Sequence, residues 1–281
     1  MQARSMLFHG LGTDDNDELL RASYACVEYP PPTDWGQFRR MYFALRTLHD
    51  ESFSFDLWFC LLPATTTTEV ETRYTGGVIF GLQSEERDSR NWPQYHQQFV
   101  MVDSKNNLFC SVLDVKPPVA TDLRCDRWYH VVLTYDLARQ RQDVFVDGER
   151  VWSATGALHR EWQHLLHEQV GTGYVTAGGS ALPHGEFAGW YGFHGLLDEF
   201  RFWRGVLPLS DVQHLARGGE LSPKRLHGTL KYPGIRGPQS RVNVELAACT
   251  RPAEGRPVAI VAVEQKKAVA PTPCRPRALF A

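Results

Sequence analysis

Four groups of side chains in this 281-residue chain have the composition of a reactive or metal-binding site. Asp198 and Glu199 are neighbouring carboxylates inside the apolar run "GLLDEFRFW", and Glu69 and Glu71 stand two apart in "TTTTEVETRYTGG". His164, His167 and Glu168 gather in "HLLHE", and Asp14, Asp15 and Asp17 form an acidic run near the start. Cleaving a glycosidic bond takes two carboxyl groups flanking that bond. On a strand they must stand two or four apart, because successive side chains alternate between faces. Asp198 and Glu199 are adjacent, read as facing opposite ways, and make no acid/base pair. Glu69 and Glu71 have the spacing but lie in a polar loop with no apolar cleft around them. Zinc-binding helices use H-E-x-x-H or H-x-x-E-H, whereas here the Glu follows the second His. "HLLHE" therefore reads as a solvated helical insertion. No G-x-S-x-G, phosphate-cradling Gly loop or dinucleotide fingerprint occurs. This inventory argues against an enzyme.

Asp198 is the most informative of these groups. By strand alternation it shares a face with Leu196, Phe200 and Phe202, which have the character of core residues. A buried carboxylate is costly unless it is paired or binds a cation. The residues leave two solutions open: a cation, or hydrogen bonds from backbone amides or an arginine. Sugars are recognised by aromatic rings beside polar groups, and the loops offer Trp92 and Tyr95 in "NWPQYH" and Trp190 and Tyr191 in "AGWYG". Each ring reads equally well as filling for an all-β core.

The elements that must position these groups are strands. "SFSFDLWFCLL" sets Phe53, Phe55, Leu57, Phe59 and Leu61 on one face and Ser54, Asp56, Trp58 and Cys60 on the other. "RWYHVVLTYD" aligns Tyr129, Val131, Leu133 and Tyr135, and "DVFVDGERV" turns on Asp147-Gly148, a dipeptide suited to a type I′ hairpin. "QQFVMV" and "LFCSVL" flank the turn signal "DSKNN". Two helices are predicted. One starts at an N-cap Ser210, with Gln213 completing a capping box, and ends at Gly218; the other covers "LHREWQHLLHEQ". Short strands between Gly, Pro, Asn and Asp clusters are the pattern of a sandwich, not of βαβ units.

In order along the chain, "SMLFHG", "SYACVEYP", "ESFSFDLWFCL", "RWYHVVLTYD…DVFVDGERV" and "FHGLLDEFRFWRGVLPLSDVQHL" resemble the strands of the laminin-G-like jelly roll of the concanavalin A-like lectin/glucanase superfamily. The resemblance runs from about residue 5 to 217 and implies an all-β, two-sheet antiparallel jelly-roll sandwich closed by a short helix. Glycosidases on that scaffold typically carry E-x-D-x-x-E, which is absent here, so a glycoside hydrolase or lyase would be a degenerate one. The resemblance to calcium-carrying relatives implies a structural Ca²⁺ at Asp198, with Asp14, Asp15 and Asp17 as further ligands. It also implies a recognition module that binds protein or glycan through the sandwich-rim loops, with Trp92, Tyr95, Trp190 and Tyr191 as the ligand-binding candidates.

Composition sets the remaining bounds. Residues 222–281 hold 11 Lys/Arg against 3 Glu and 8 of the 17 prolines, so the near-neutral total divides into an acidic body and a basic tail. The expected domains are a sandwich over 1–220 and a Pro-rich basic extension over 221–281, partly disordered or the opening of a second β domain. No apolar run is long enough to span a membrane, and the start lacks a secretory core. The expected location is therefore intracellular, or extracellular if the N-terminus is incomplete. Cys26, Cys60, Cys110, Cys125, Cys249 and Cys274 form no C-x-x-C pair and read as free thiols. Aromatics are too sparse among the basic residues of the tail for a nucleic-acid interface.

Overall fold

The computed structural model describes residues 4–9, 26–28, 51–63, 76–84, 94–158, 165, 167–175, 189–222, 224, 226–231, 244–248 and 261–262. They form two sheets and one helix. The strands, in chain order, are β1 (Arg4–His9), β2 (Cys26–Glu28), β3 (Phe53–Leu61), β4 (Gly77–Gln83), β5 (His96–Val102) and β6 (Leu108–Cys110). There follow β7 (Pro118–Ala120), β8 (Trp128–Asp136), β9 (Arg141–Val146), β10 (Glu149–Thr155), β11 (His167–Val170) and β12 (Thr172–Val175). The last are β13 (Gly189–Gly192), β14 (His194–Arg204), β15 (Leu226–Lys231), β16 (Val244–Ala248) and β17 (Val261–Ala262), with helix α1 (Leu209–Ala216) between β14 and β15.

Sheet A runs β10-β9-β8-β3-β14-β1-β16-β17, with β15 joining β14 to β2. Sheet B runs β12-β13-β4-β5-β6-β7, with β11 on β4. Pairing is antiparallel except where Gly192 of β13 meets Val78 of β4. Strands β15, β16 and β17, from the stretch read as a basic extension, hydrogen-bond into sheet A through β14 and β1.

The core lies between the sheets. All five inward residues predicted for β3 and all four for β8 are buried there. Phe80 of β4 meets Phe55 at 5.5 Å and Phe200 at 4.9 Å between ring centroids. Each Phe of such a ring cluster is worth about 3–5 kcal/mol against Ala. Gln142 of β9 crosses to the other sheet, its Oε1 accepting from Val112 N at 3.0 Å.

The turns follow the sequence. Asp147 and Gly148 take φ of 51° and 84°, as a type I′ hairpin needs. Asp103 Oδ1 accepts from Lys105 N and Asn107 N, closing the "DSKNN" turn. Helix α1 differs from its prediction: Pro208, not Ser210, is the N-cap, and Ser210 lies inside the first turn. Proline's φ near −65° and its extended ψ aim the Pro208 carbonyl at Asp211 N and Val212 N, so the helix starts without a side-chain cap. It ends as read, with Gly218 at φ 79°. The second predicted helix is corrected at its end, because His167–Val170 is a strand in register with Gln83–Phe80 of β4. Local helical spacing yields there to pairing with an open strand edge. Among the described residues no helix is long and apolar enough to cross a membrane, and Cys60, Cys110 and Cys125 are free thiols.

Candidate functional site

The site grows out of an irregularity in β14. Leu197, Phe200 and Phe202 face the inter-sheet core, whereas Leu196 packs outward against Cys60, Leu62 and Trp128. Two residues, Asp198 and Glu199, therefore stand between consecutive inward side chains. Against β3 the register passes from Asp198↔Trp58 to Arg201↔Asp56, three steps on β14 against two on β3. This is a β-bulge, and it overturns the alternation from which Asp198 was placed with Phe200 and Phe202. Asp198 is half-buried on the outward face of sheet A. Glu199 carries the strain, with φ at 48°, a conformation that costs a non-glycine residue about 1–3 kcal/mol. Asp198 Oδ1 offsets part of it by accepting from Glu199 N at 2.9 Å. A backbone amide is one of the partners that the sequence leaves open for Asp198.

The bulge brings Asp198, Glu199 and Arg201 onto one face. Glu199 Oε2 lies 3.4 Å from Arg201 Nη1. Beneath them Asp56 of β3 is fully buried and saturated with donors. Its Oδ2 accepts from Arg201 Nη2 at 2.5 Å and from His130 Nε2 at 3.0 Å. Its Oδ1 accepts from Trp203 Nε1 at 2.5 Å, while Arg201 Nε reaches both oxygens. Burial pushes the Asp56 carboxyl up, but the His130 hydrogen bond and the Arg201 charge prevail and hold it below the usual carboxylate range. Arg201 is driven the same way: burial opposes its charge, and Asp56, Glu199 and Asp198 more than restore it. A carboxylate engaged on every side is no base or nucleophile. It fixes the guanidinium.

Trp58, opposite Asp198 in the register, is half-buried, and its ring lies 4.8 Å from that of His130. His130 is locked from below, since its backbone N–H donates to Asp147 Oδ1 and its carbonyl accepts from Asp147 N. The outer row is thus an indole, two carboxylates and a guanidinium on a rigid sheet. It can stack on a sugar ring, accept from hydroxyls and donate to them.

The residues singled out from sequence are scattered. Tyr95 is half-buried against the core, its backbone exchanging bonds with Ser84. Trp190 and Tyr191, read as loop residues, lie in strand β13, paired with Tyr174 and Gly173 of β12. The short β13 fills the place between β12 and β4, and that pairing turns an apparent loop into a strand. Tyr95 stands opposite Ser84, while β13 meets β4 at Val78, so the two aromatic groups are separated by about 20 Å of strand. Asp198 is on the other sheet. Trp92, Asp14, Asp15, Asp17, Glu69, Glu71 and His164 lie outside the described residues. Of the four carboxylates named for calcium only Asp198 falls among the described residues. Among the described residues no three His, Cys, Asp or Glu side chains are arranged to hold a metal ion.

Trp58, Asp56, His130 and Arg201 carry no site signal of their own in the sequence. The available cue is a charge or an imidazole inside an apolar strand: Asp56 between Phe55 and Leu57, His130 before Val131, and Arg201 between Phe200 and Phe202. Only the β8-β3-β14 register shows that all of them face one way.

Among known families, the model of the concanavalin A-like lectin/glucanases superfamily matches residues 39–213. Solved structures of similar fold include a candidate carbohydrate-binding protein from Bacteroides ovatus, 13% identical with a TM-score of 0.48, aligned over 93% of this chain and 60% of that one. This chain thus spans about three fifths of that protein's length. The CBM40 of a Ruminococcus gnavus IT-sialidase, bound to α2,3-sialyllactose, is 13% identical over 59% of this chain and 83% of its own, with a TM-score of 0.39. The SAP-like pentraxin of Limulus polyphemus is 12% identical over 87% and 94%, with a TM-score of 0.42. No match is found among curated proteins.

Proposed function

The chain belongs to the concanavalin A-like lectin/glucanase superfamily, and from that premise we propose that it is a non-catalytic recognition module that binds a carbohydrate on the outward face of sheet A. The observation that carries this reading is the β14 bulge. It presents Asp198 and Glu199 together, beside Arg201 and facing Trp58, where regular alternation would have separated them. Stored backbone strain at Glu199 is the kind of cost that a binding surface retains. Charge narrows the ligand. Asp56 neutralises Arg201, so Asp198 and Glu199 leave the outer row negative, which suits a neutral, hydroxyl-rich sugar over an acidic one.

The same geometry favours binding over cleavage. Hydrolysis requires carboxyl groups on either side of the scissile bond. Two consecutive residues of one bulge sit on the same side of anything resting on the sheet. The third carboxylate, Asp56, is sealed beneath. The expected partner is therefore a glycan, held by one stacked ring and several hydroxyl contacts.

A glycan array followed by calorimetry tests this. Neutral oligosaccharides should bind, and Trp58→Ala and Glu199→Gln should each weaken binding about tenfold or more, which is roughly 1.4 kcal/mol, with folding checked by circular dichroism. An array without binders, or binding that survives both substitutions, would overturn the site. Turnover on a polysaccharide panel would overturn the non-catalytic reading.

A further inference from the structure

A second buried charge, remote from the bulge, has no part in that reading. The segment 111–117 joins β6 to β7. Val115 is 67% exposed, yet the next residue, Lys116, is folded inward and only 3% exposed. Its Nζ donates to Gln97 Oε1 at 2.6 Å and to the Gln98 carbonyl at 2.8 Å, both on β5. The remaining direction holds the Phe99 ring, 5.8 Å from Nζ to centroid. Two acceptors match the two N–H bonds of a neutral amine, whereas an ammonium has three and leaves the third only the ring face. Elsewhere the segment is held by Ser111 and Gln142, whose side chains bond each other and the backbone of 112–115.

We propose that Lys116 is a proton-operated latch: as the neutral amine it pins the 111–117 segment to β5, and on taking up a proton it leaves for solvent and frees that segment. Three titratable groups face it among the described residues, namely His96 on β5, Cys110 on β6 and Asp114 in the segment itself. Burial lowers Lys116 from the ordinary 10.5 to about 7, with Asp114 and Cys110 opposing. Burial and the Lys116 charge lower His96 to about 4, and burial raises the Cys110 thiol. Of Lys116, His96 and Cys110, Lys116 is therefore the one that burial leaves near neutrality.

The sign follows from linkage. A released Lys116 binds its proton below pH 10.5, but a latched one only below about 7. Between those limits the released state gains about tenfold in population for each unit that the pH falls. Below about 7 the gain levels off. Hydrogen exchange of the amides of residues 112–116, corrected for intrinsic rates, reads this opening directly. The expected result is a rise of about tenfold per unit from pH 9.5 down to 7.5, a plateau below, and no such slope in Lys116→Met or Lys116→Gln. A slope that persists in both variants, or none in the wild-type protein, would overturn the latch. Should neither variant fold, the Nζ resonance of the wild-type protein decides: titration near 7 supports the latch, and titration above 9.5 refutes it.

Discussion

Two buried charges of this molecule have met opposite fates. Asp56 on sheet A and Lys116 against sheet B are both removed from water. Asp56 is surrounded by donors from Arg201, His130 and Trp203 and keeps its charge despite burial. Lys116 has two acceptors and an aromatic ring, and burial drives it toward neutrality. Depth alone decides neither outcome. The count of compensating partners does, because the desolvation penalty is similar in kind for both ions and only one of them recovers it.

The comparison breaks most visibly at Asp56. Asp56→Ala leaves the Arg201 guanidinium buried without its anion and should lose about 3–5 kcal/mol in urea unfolding. The pair Asp56→Leu with Arg201→Met should recover much of that loss, since an apolar pair of similar volume is often neutral. Next in size is Lys116→Met, expected to stabilise by about 2 kcal/mol at pH 6, where the protonated wild-type protein has lost the contacts that latch the 111–117 segment. That advantage should shrink as the pH rises from about 7 toward 10.5, a window in which the unfolded wild-type chain binds more protons than the folded one. Denaturant midpoints at pH 6 and pH 9.5 measure it.

A smaller effect separates the two in acid. The Asp56 carboxyl titrates below its ordinary 3.8 in the folded state. Its contribution is complete above that value and lost as the pH falls through the folded one, so acid unfolding should be less steep in Asp56→Asn than in the wild type. The smallest is at the bulge. Glu199→Gly relieves a positive φ and should leave stability within about 1 kcal/mol of wild type, while glycan binding drops. Stability and binding that move together would argue that the strained residue serves folding alone.

The sequence carried the inner rows of β3 and β8 in full, because two-residue alternation needs no knowledge of partners. It failed where a partner decides. Asp198 was misplaced by the extra residue at Glu199, and no local signal marks a bulge whose left-handed residue is a glutamate. His167 and Trp190 carry no local strand signal, because their pairing partners, on β4 and β12, lie elsewhere in the sequence. The Asp56 cluster joins residues 56, 130, 201 and 203, so it exists only once β8, β3 and β14 are set side by side. Lys116 gave no sign at all, since a lysine beside an exposed valine in a proline-bearing loop reads as solvated.

Strand β10 pairs, among the described residues, with β9 alone, so one border of sheet A presents a row of backbone groups over seven residues. Such a border can recruit a strand from another molecule and seed fibres. Glu149 and Arg150 stand in solvent there, and two like copies meeting edge to edge would have to strip water from both. Colloidal behaviour in concentrated solution is thus guarded by side chains that add nothing to the interior.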